Sequence, residues 1–285
     1  MHHANLANFL ANAGRVLKPA GPYAIVLLED GREVESTITH CRKAGFSEVL
    51  VFGHPDLFPD DADGLHLVPH DMHETGAMLD IVNSVIVACP GIWLHYCFNA
   101  EYLFFPFCET RTVRELTQFA TEERRDTVLT FVIDLYSNDL GTDPDAVSRP
   151  HAHFDRAGYY ALQRYKDGLP LERQLDFFGG LRWRFEEHVP YEKRRIDRVG
   201  LFRAQKGLTL SADHRFNLAE YNTYACEWHH NISATICSFR TAKALMNNPG
   251  SKFEISYFWW QNSEAFEWNS QQLMELGLME PGQWF

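Results

Sequence analysis

Acidic and polar side chains follow four apolar stretches of this sequence, at the point where each stretch ends. The four groups are Glu29-Asp30, Gly53 to Asp56 (which includes His54), Asn99 to Glu101, and Asp134 to Asn138. Ligands of open α/β sheets bind beyond the carboxyl ends of the strands, so we expect these groups to line one crevice. Any single group also fits an ordinary polar turn, and their joint placement is what favours a binding site.

Histidines form a second set of candidate ligands. An alternating run contains His151, His153 and Asp155. If the run lies on a strand, its three side chains share one face, which a metal ion can use. The alternative is a loop or strand-edge role without a metal.

The elements that must position these groups alternate between strand and helix. Tyr23 to Glu29 is an apolar, β-rich run, Val34 to Ala44 has helical spacing and stops at Gly45, and Glu48 to Gly53 is a second strand. Such a strand–helix–strand unit is normally parallel and right-handed. The same alternation continues with a strand at 65–69, a helix at 72–89, a strand at 91–98, a helix at 112–123 and a strand at 128–136. The sequence therefore predicts an α/β fold with a mostly parallel central sheet flanked by helices.

The second half of the chain is less regular. Residues 138–180 are rich in Asp, Gly and Pro and are predicted to form long loops, and short strand-like pieces alternate with charged stretches over 181–231. The tail contains two predicted helices, Arg240 to Asn247 and Asn269 to Leu278. The predicted organisation is an N-terminal helix and linker (1–20), one α/β domain (21–235) and an irregular α+β C-terminal extension packed on that domain (236–285).

Composition excludes several classes of protein. A net charge of −12 over 285 residues argues against a general nucleic-acid binder. No apolar run reaches the ~18 residues of a membrane span, and the N-terminus lacks a secretory pattern. Six scattered cysteines without a CxxC motif favour reduced thiols in a cytoplasmic protein. The absence of GxSxG, P-loop and GxGxxG motifs removes support for hydrolase, kinase and dinucleotide-binding interpretations.

The chain resembles glycosyltransferases of family 2 with the GT-A fold, in particular a bacterial branch. The resemblance covers roughly residues 23 to 230. The matching segments are Leu28-Glu29-Asp30 with His40 and Gly45, Phe52-Gly53-His54, Phe98 to Leu103 with Pro106, His153 to Asp155 with Gly158-Tyr159, and Arg198 to Arg203.

This resemblance implies a GT-A-like domain in a cytoplasmic or membrane-peripheral enzyme. It would move a sugar from a nucleotide-sugar donor to a glycan, lipid-linked or protein acceptor, with Mg²⁺ or Mn²⁺ as the implied cofactor. The candidate positions for nucleotide-sugar binding are five residues at the ends of predicted strands, Glu29, Asp30, His54, Asn99 and Glu101, together with Arg198 and Arg203. Glu101 and the late His230 would hold the metal, and Asp213 or Asp155 would be the base that activates the acceptor hydroxyl.

The metal motif is degenerate in this chain. Phe98 and Ala100 stand where the family has aspartates, and Gly53 stands where its second strand ends in an aspartate. Cationic side chains can replace a metal in stabilising a departing diphosphate. Arg198 and Arg203 flank an apolar strand and suit that role, whereas the other basic residues of 182–206 are interleaved with acids, as on a solvated surface.

Two other classes of function stay open at the level of sequence. A non-catalytic GT-A-like binding or scaffold protein would explain the missing aspartates, and a histidine-based metalloenzyme would use the His151 run. Trp228, Trp259 and Trp260 can stack on sugar faces, or they can pack in the core as most aromatic clusters do.

Overall fold

A computed structural model describes residues 1–223 and 231–284. Its helices are α1 (Leu6–Val16), α2 (Val34–Ala44), α3 (Ala77–Ala88), α4 (Val113–Glu122), α5 (Leu181–Arg184), α6 (Arg240–Asn247) and α7 (Ser270–Glu275). Its strands are β1 (Tyr23–Leu28), β2 (Glu48–Gly53), β3 (Leu65–Pro69), β4 (Trp93–Phe98), β5 (Glu101–Phe104), β6 (Thr127–Ser137), β7 (Ala152–Asp155), β8 (Tyr160–Lys166), β9 (Leu169–Phe178), β10 (Asp197–Arg203), β11 (Ser233–Ser238) and β12 (Ser263–Ala265).

The chain divides into two compact units, each built from three separate segments. The first unit contains Met1–Leu103, Thr110–Val128 and Val199–Asn222. The second unit contains Phe104–Glu109, Leu129–Arg198 and Thr223–Phe285. The predicted domain limits at residues 20 and 235 stay predictions.

The first unit contains the predicted parallel sheet, with strand order β3-β2-β1-β4. Every residue of β1 and β2 is buried, as expected for parallel strands covered on both faces. Helix α2 contacts β1 and β2, while α1 packs on α3 and β3. Gly45 ends α2 in the left-handed conformation that a C-terminal glycine allows (φ 89°). The prediction of a mixed α/β fold with a mostly parallel sheet flanked by helices is confirmed.

Helix α3 begins later than the sequence predicts. The periodic apolar pattern suggested a start at residue 72, but the helix begins at Ala77, directly after Gly76 in the left-handed conformation (φ 89°). Asp71 instead organises a turn, in which its side chain accepts a hydrogen bond from the backbone N–H of His73 (2.9 Å). The residues between β3 and α3 are thus free to form part of a strand-end loop.

The second unit corrects the prediction of long loops over residues 138–180. This stretch contains β7, which pairs with β6, and an antiparallel hairpin of β8 and β9. The hairpin has no apolar alternation, because its principal buried side chain is Arg164, which is 2% exposed. A further unpredicted strand, β11, runs parallel to β6.

The two tail helices are predicted correctly in place and type. Helix α6 has the predicted limits, whereas α7 is shorter than the predicted span of residues 269–278. Among the described residues, no helix combines the length and apolar character needed to cross a bilayer.

Candidate functional site

A cavity of about 780 Å³ lies in the first unit, at the carboxyl ends of β1, β2 and β3. Three of the predicted binding residues, Glu29, Asp30 and His54, line it. Its full lining is Leu28, Glu29, Asp30, Gly31, His54, Pro55, Asp56, Leu57, Pro69, His70, Asp71, Met72 and His73. We call this feature the strand-end cavity.

Asn99 holds the loop that borders the strand-end cavity. This buried amide follows β4, and its Oδ1 accepts the backbone N–H of Glu29 at 2.9 Å. Its Nδ2 donates to Asp30 Oδ1 at 2.7 Å and to the carbonyl of Arg32 at 2.9 Å. Asn99 therefore acts as a positioning residue, because it fixes the carboxylate of Asp30 at the edge of the cavity.

Glu101 shapes its own turn. The side chain is 2% exposed, and Oε2 accepts the backbone N–H of Phe98 at 2.9 Å. Between them Ala100 takes a left-handed conformation (φ 62°), and its N–H donates to Thr37 Oγ1 at 2.9 Å. The carboxylate thus satisfies a buried donor at a tight turn, where a missing acceptor would be costly.

The turn after β4 does not fit the divalent cation that the resemblance implies. Phe98 and Ala100 are buried and offer no ligand atom, and Glu101 bonds the backbone. Within residues 1–223 and 231–284, no three His, Cys, Asp or Glu side chains are grouped so that they can hold a metal ion. His230, the other predicted metal ligand, lies outside the described residues, as does Trp228.

Position 53, where the resemblance leads us to expect an aspartate, has no room for a side chain. A Cβ atom at this position would lie 2.7 Å from Leu28 Cβ and 3.2 Å from the carbonyl oxygen of Leu28. Leu28 is its register partner on β1. No side chain, acidic or otherwise, fits at position 53 while β1 and β2 keep this spacing.

The loop after β3 supplies cavity residues that the sequence analysis did not select. His70, Asp71 and His73 line the strand-end cavity. Ligands bind beyond the carboxyl ends of parallel strands, and this rule applies to β3 as it does to β1 and β2. Because the strand at 65–69 was predicted, the sequence already contained the signal for these residues. Nε2 of His70 is buried, and it has no hydrogen-bond partner within the described chain.

The charge of the strand-end cavity sets what it can bind. Glu29, Asp30, Asp56 and Asp71 contribute carboxylates, and neither Arg nor Lys occurs among the lining residues, all of which the structure describes. His54 Nδ1 lies 3.5 Å from Asp56 Oδ2. Such a lining accepts hydrogen bonds from hydroxyl and N–H groups, as on a ribose or a base. An unneutralised diphosphate would be repelled by it.

Three other predicted residues are not among the residues that line the strand-end cavity. Arg203 donates from Nε to the carbonyl of Gly91 at 3.0 Å, and its Nη1 is 3.7 Å from Asp126. Asp213 is exposed in a turn, where it accepts from Ser211 Oγ at 2.5 Å. Arg198 is buried in the second unit.

Asp155 also belongs to the second unit, and it is 1% exposed. It accepts hydrogen bonds from Tyr136 Oη (2.6 Å), Trp260 Nε1 (2.7 Å) and Arg184 Nη1 (2.9 Å). Burial raises the pKa of Asp155, and Arg184 opposes this effect. The carboxylate is therefore buried and accepts three hydrogen bonds from other side chains, and its role as a base stays a prediction.

The other predicted residues of the second unit are not grouped into a site that could hold a metal ion, within the part of that unit that the structure describes. His151 Nδ1 is 3.0 Å from Asp143 Oδ2, and His153 Nδ1 is 3.0 Å from the carbonyl of His151. Asp134 is buried beside Arg182 (3.4 Å), and burial raises the pKa of Asp134. The proposed His151, His153 and Asp155 metal set is therefore not assembled in the described part of the second unit.

Comparison with models of known protein families gives no match. Comparison with curated protein sequences gives no match either.

Proposed function

We propose that this protein binds a nucleotide-sugar in the strand-end cavity and transfers the sugar to a glycan, lipid-linked or protein acceptor. The observation that carries the proposal is the placement of polar side chains around a cavity of about 780 Å³ at the ends of three neighbouring parallel strands. This is where open α/β sheets hold their ligands, and the volume suits a nucleotide. The resemblance to family 2 glycosyltransferases supplies the chemistry.

The acidic lining suits the ribose and base of the nucleotide-sugar better than its diphosphate. Carboxylates such as Asp30 accept hydrogen bonds from ribose hydroxyls or a base N–H, and Asn99 keeps Asp30 in place for this purpose. His54 and His70 can donate or accept. The diphosphate has to lie outside the acidic lining, because like charges at close range disfavour binding.

Thermal unfolding with added nucleotide tests this proposal. We expect UDP, GDP or one of their sugars to raise the melting temperature without Mn²⁺, since a ligand that binds only the folded state stabilises it. Asp56→Ala should weaken the effect because it removes a hydrogen-bond acceptor from the lining, while the matched control Asp60→Ala, at an exposed residue outside the lining, should leave it unchanged. If no nucleotide or nucleotide-sugar shifts the melting temperature, the proposal is wrong.

A non-catalytic binding protein is the second candidate, and one observation favours it. Glu101 is occupied in bracing its turn, and Phe98 and Ala100 place buried apolar groups where the family carries carboxylates. Binding without turnover of the nucleotide-sugar, in the presence of a broad set of acceptors, would support this candidate over transfer.

A further inference from the structure

A second cavity, of about 700 Å³, lies within the second unit. It shares no lining residue with the strand-end cavity. Three of its aromatic side chains are unusually exposed: Trp183 is 42% exposed, Tyr257 66% and Trp259 53%. Single exposed aromatic residues are ordinary, but several that line one cavity mark a binding surface. We call this feature the aromatic cavity.

Asp155 connects two of the residues that line the aromatic cavity. Its buried carboxylate binds Trp260 Nε1 at 2.7 Å and Arg184 Nη1 at 2.9 Å, and both of these residues line the cavity. The guanidinium carbon of Arg184 also lies 4.8 Å from the ring centroid of Trp260. The two lining residues are thereby fixed relative to each other, which reduces the ordering cost of binding.

Three glutamates line the cavity, Glu186, Glu187 and Glu254, and each lies near an arginine or a histidine side chain. Glu186 Oε2 lies 2.9 Å from Arg194 Nη1, and Glu254 Oε2 lies 3.3 Å from His188 Nε2. Both glutamates keep exposed side chains, 58% and 70% respectively, so they can still accept hydrogen bonds. These carboxylates therefore suit a ligand with several hydroxyl groups, from which they can accept hydrogen bonds.

We propose that the aromatic cavity binds a saccharide. A pyranose ring presents an apolar C–H face, which packs on Trp259 or Trp183, and hydroxyl groups at its edge, which donate to Glu186 and Glu254. Aromatic faces beside hydrogen-bond acceptors match that amphipathic ligand. That the saccharide is the acceptor of the transfer reaction rests on the proposed function, whereas the binding itself does not.

Calorimetric titration of the full chain with defined saccharides tests this site. The probes are neutral mono- to tetrasaccharides of glucose, galactose, mannose, rhamnose, fucose and the N-acetylhexosamines, with choline and spermine as cationic competitors. We expect at least one saccharide to bind, and Trp259→Ala to weaken its binding by about tenfold or more. Tyr257→Ala should weaken it as well. The matched control is Tyr165→Ala, a tyrosine of the same unit that is 61% exposed and lies outside the cavity, which should change affinity less than about twofold.

Three outcomes overturn the inference. They are binding of none of the saccharides by the folded protein, equal losses in Tyr257→Ala and Tyr165→Ala, and binding of the organic cations in place of saccharides. Circular dichroism of each variant confirms that it is folded, and Trp259→Phe, which keeps an aromatic face, should retain most of the affinity. Nucleotide-induced stabilisation is measured on the same samples. Saccharide binding without nucleotide-induced stabilisation would refute the proposed function alone. Nucleotide-induced stabilisation without saccharide binding would refute the saccharide site alone.

Discussion

At the scale of single residues, the role of Glu101 can be separated from ligand binding. Glu101→Ala removes the acceptor of a buried backbone N–H at Phe98, so we expect the free energy of unfolding to fall by about 1–3 kcal/mol. Glu101→Gln replaces the carboxylate by an amide whose oxygen can accept the same hydrogen bond, so its free energy of unfolding should fall much less. Urea denaturation of both variants measures the difference. If Glu101→Ala keeps normal stability but no longer binds nucleotide, the side chain of Glu101 instead contacts the nucleotide-sugar.

The candidate site was predictable where a local rule applies. Glu29, Asp30 and His54 followed from the ends of predicted strands, and the structure brings these three to one cavity. The roles of Asn99 and Glu101 did not follow, because an amide or carboxylate that hydrogen-bonds the backbone is indistinguishable in sequence from one that faces a ligand. The aromatic cavity was out of reach for a different reason. Trp183 and Trp259 are 76 positions apart in the chain, and only tertiary folding makes them neighbours.

At the scale of elements, a buried histidine pair attaches the N-terminal segment to β3. His3 Nε2 lies 3.1 Å from His66 Nδ1, and His66 Nε2 lies 3.2 Å from Glu48 Oε2. The backbone of the segment adds hydrogen bonds to Leu67 in both directions, at 2.9 Å each. Burial lowers the pKa of both histidines below the ordinary value of 6.5.

This pair makes stability depend on pH below neutrality. As the pH falls through about 6.5, the unfolded chain takes up protons that the folded histidines resist, so the free energy of unfolding should decrease. Urea denaturation between pH 7.5 and 5.5 measures the slope. We expect His3→Gln to make the slope shallower, because it removes one of the two buried histidines. Equal slopes for the parent protein and His3→Gln would contradict the prediction.

The hairpin of β8 and β9 depends on one buried arginine. Arg164 Nη2 lies 3.0 Å from Asp197 Oδ2, which is 1% exposed, and Arg164 Nε lies 2.9 Å from Asp176. Arg164→Met leaves Asp197 charged and buried without this partner, so we expect a loss of about 3–5 kcal/mol in the free energy of unfolding. Arg173→Met, on the same hairpin and 37% exposed, is the control and should cost less than about 0.5 kcal/mol. Thermal denaturation that gives similar losses for both variants would refute this account.

The elements most visible in the sequence were those with an apolar period. Strands β1, β2 and β4 are largely apolar, and their limits were predicted within a few residues. The hairpin of β8 and β9 was missed because its buried position is an arginine, although the turn between the strands contains Asp167 and Gly168, both with positive φ (52° and 80°). An Asp-Gly pair is a strong hairpin signal even where the apolar alternation fails.

At the scale of the whole molecule, the chain order does not follow the compact units. The first unit takes residues 199–222 from far along the chain, including Leu201 and Phe202, which are buried and belong to the strand that pairs with β4. We therefore expect a fragment of residues 1–128 to lack a cooperative unfolding transition, because its sheet edge and part of its core are missing. Calorimetry and a ¹⁵N–¹H NMR spectrum of the fragment, beside the full chain, test this. A dispersed spectrum and a sharp transition would contradict it.

The packing of Gly53 against Leu28 makes these two positions epistatic. A Cβ at position 53 meets Leu28 Cβ at 2.7 Å, so Gly53→Ala alone should destabilise the protein by about 1–3 kcal/mol. In a Leu28→Gly background the same change should cost less, and a double-mutant cycle should show a favourable coupling of about 0.5–3 kcal/mol. Simple additivity of the two losses would mean that the strands move apart freely. If the coupling holds, the order of substitutions matters, since a side chain at position 53 costs less stability once position 28 has lost its own.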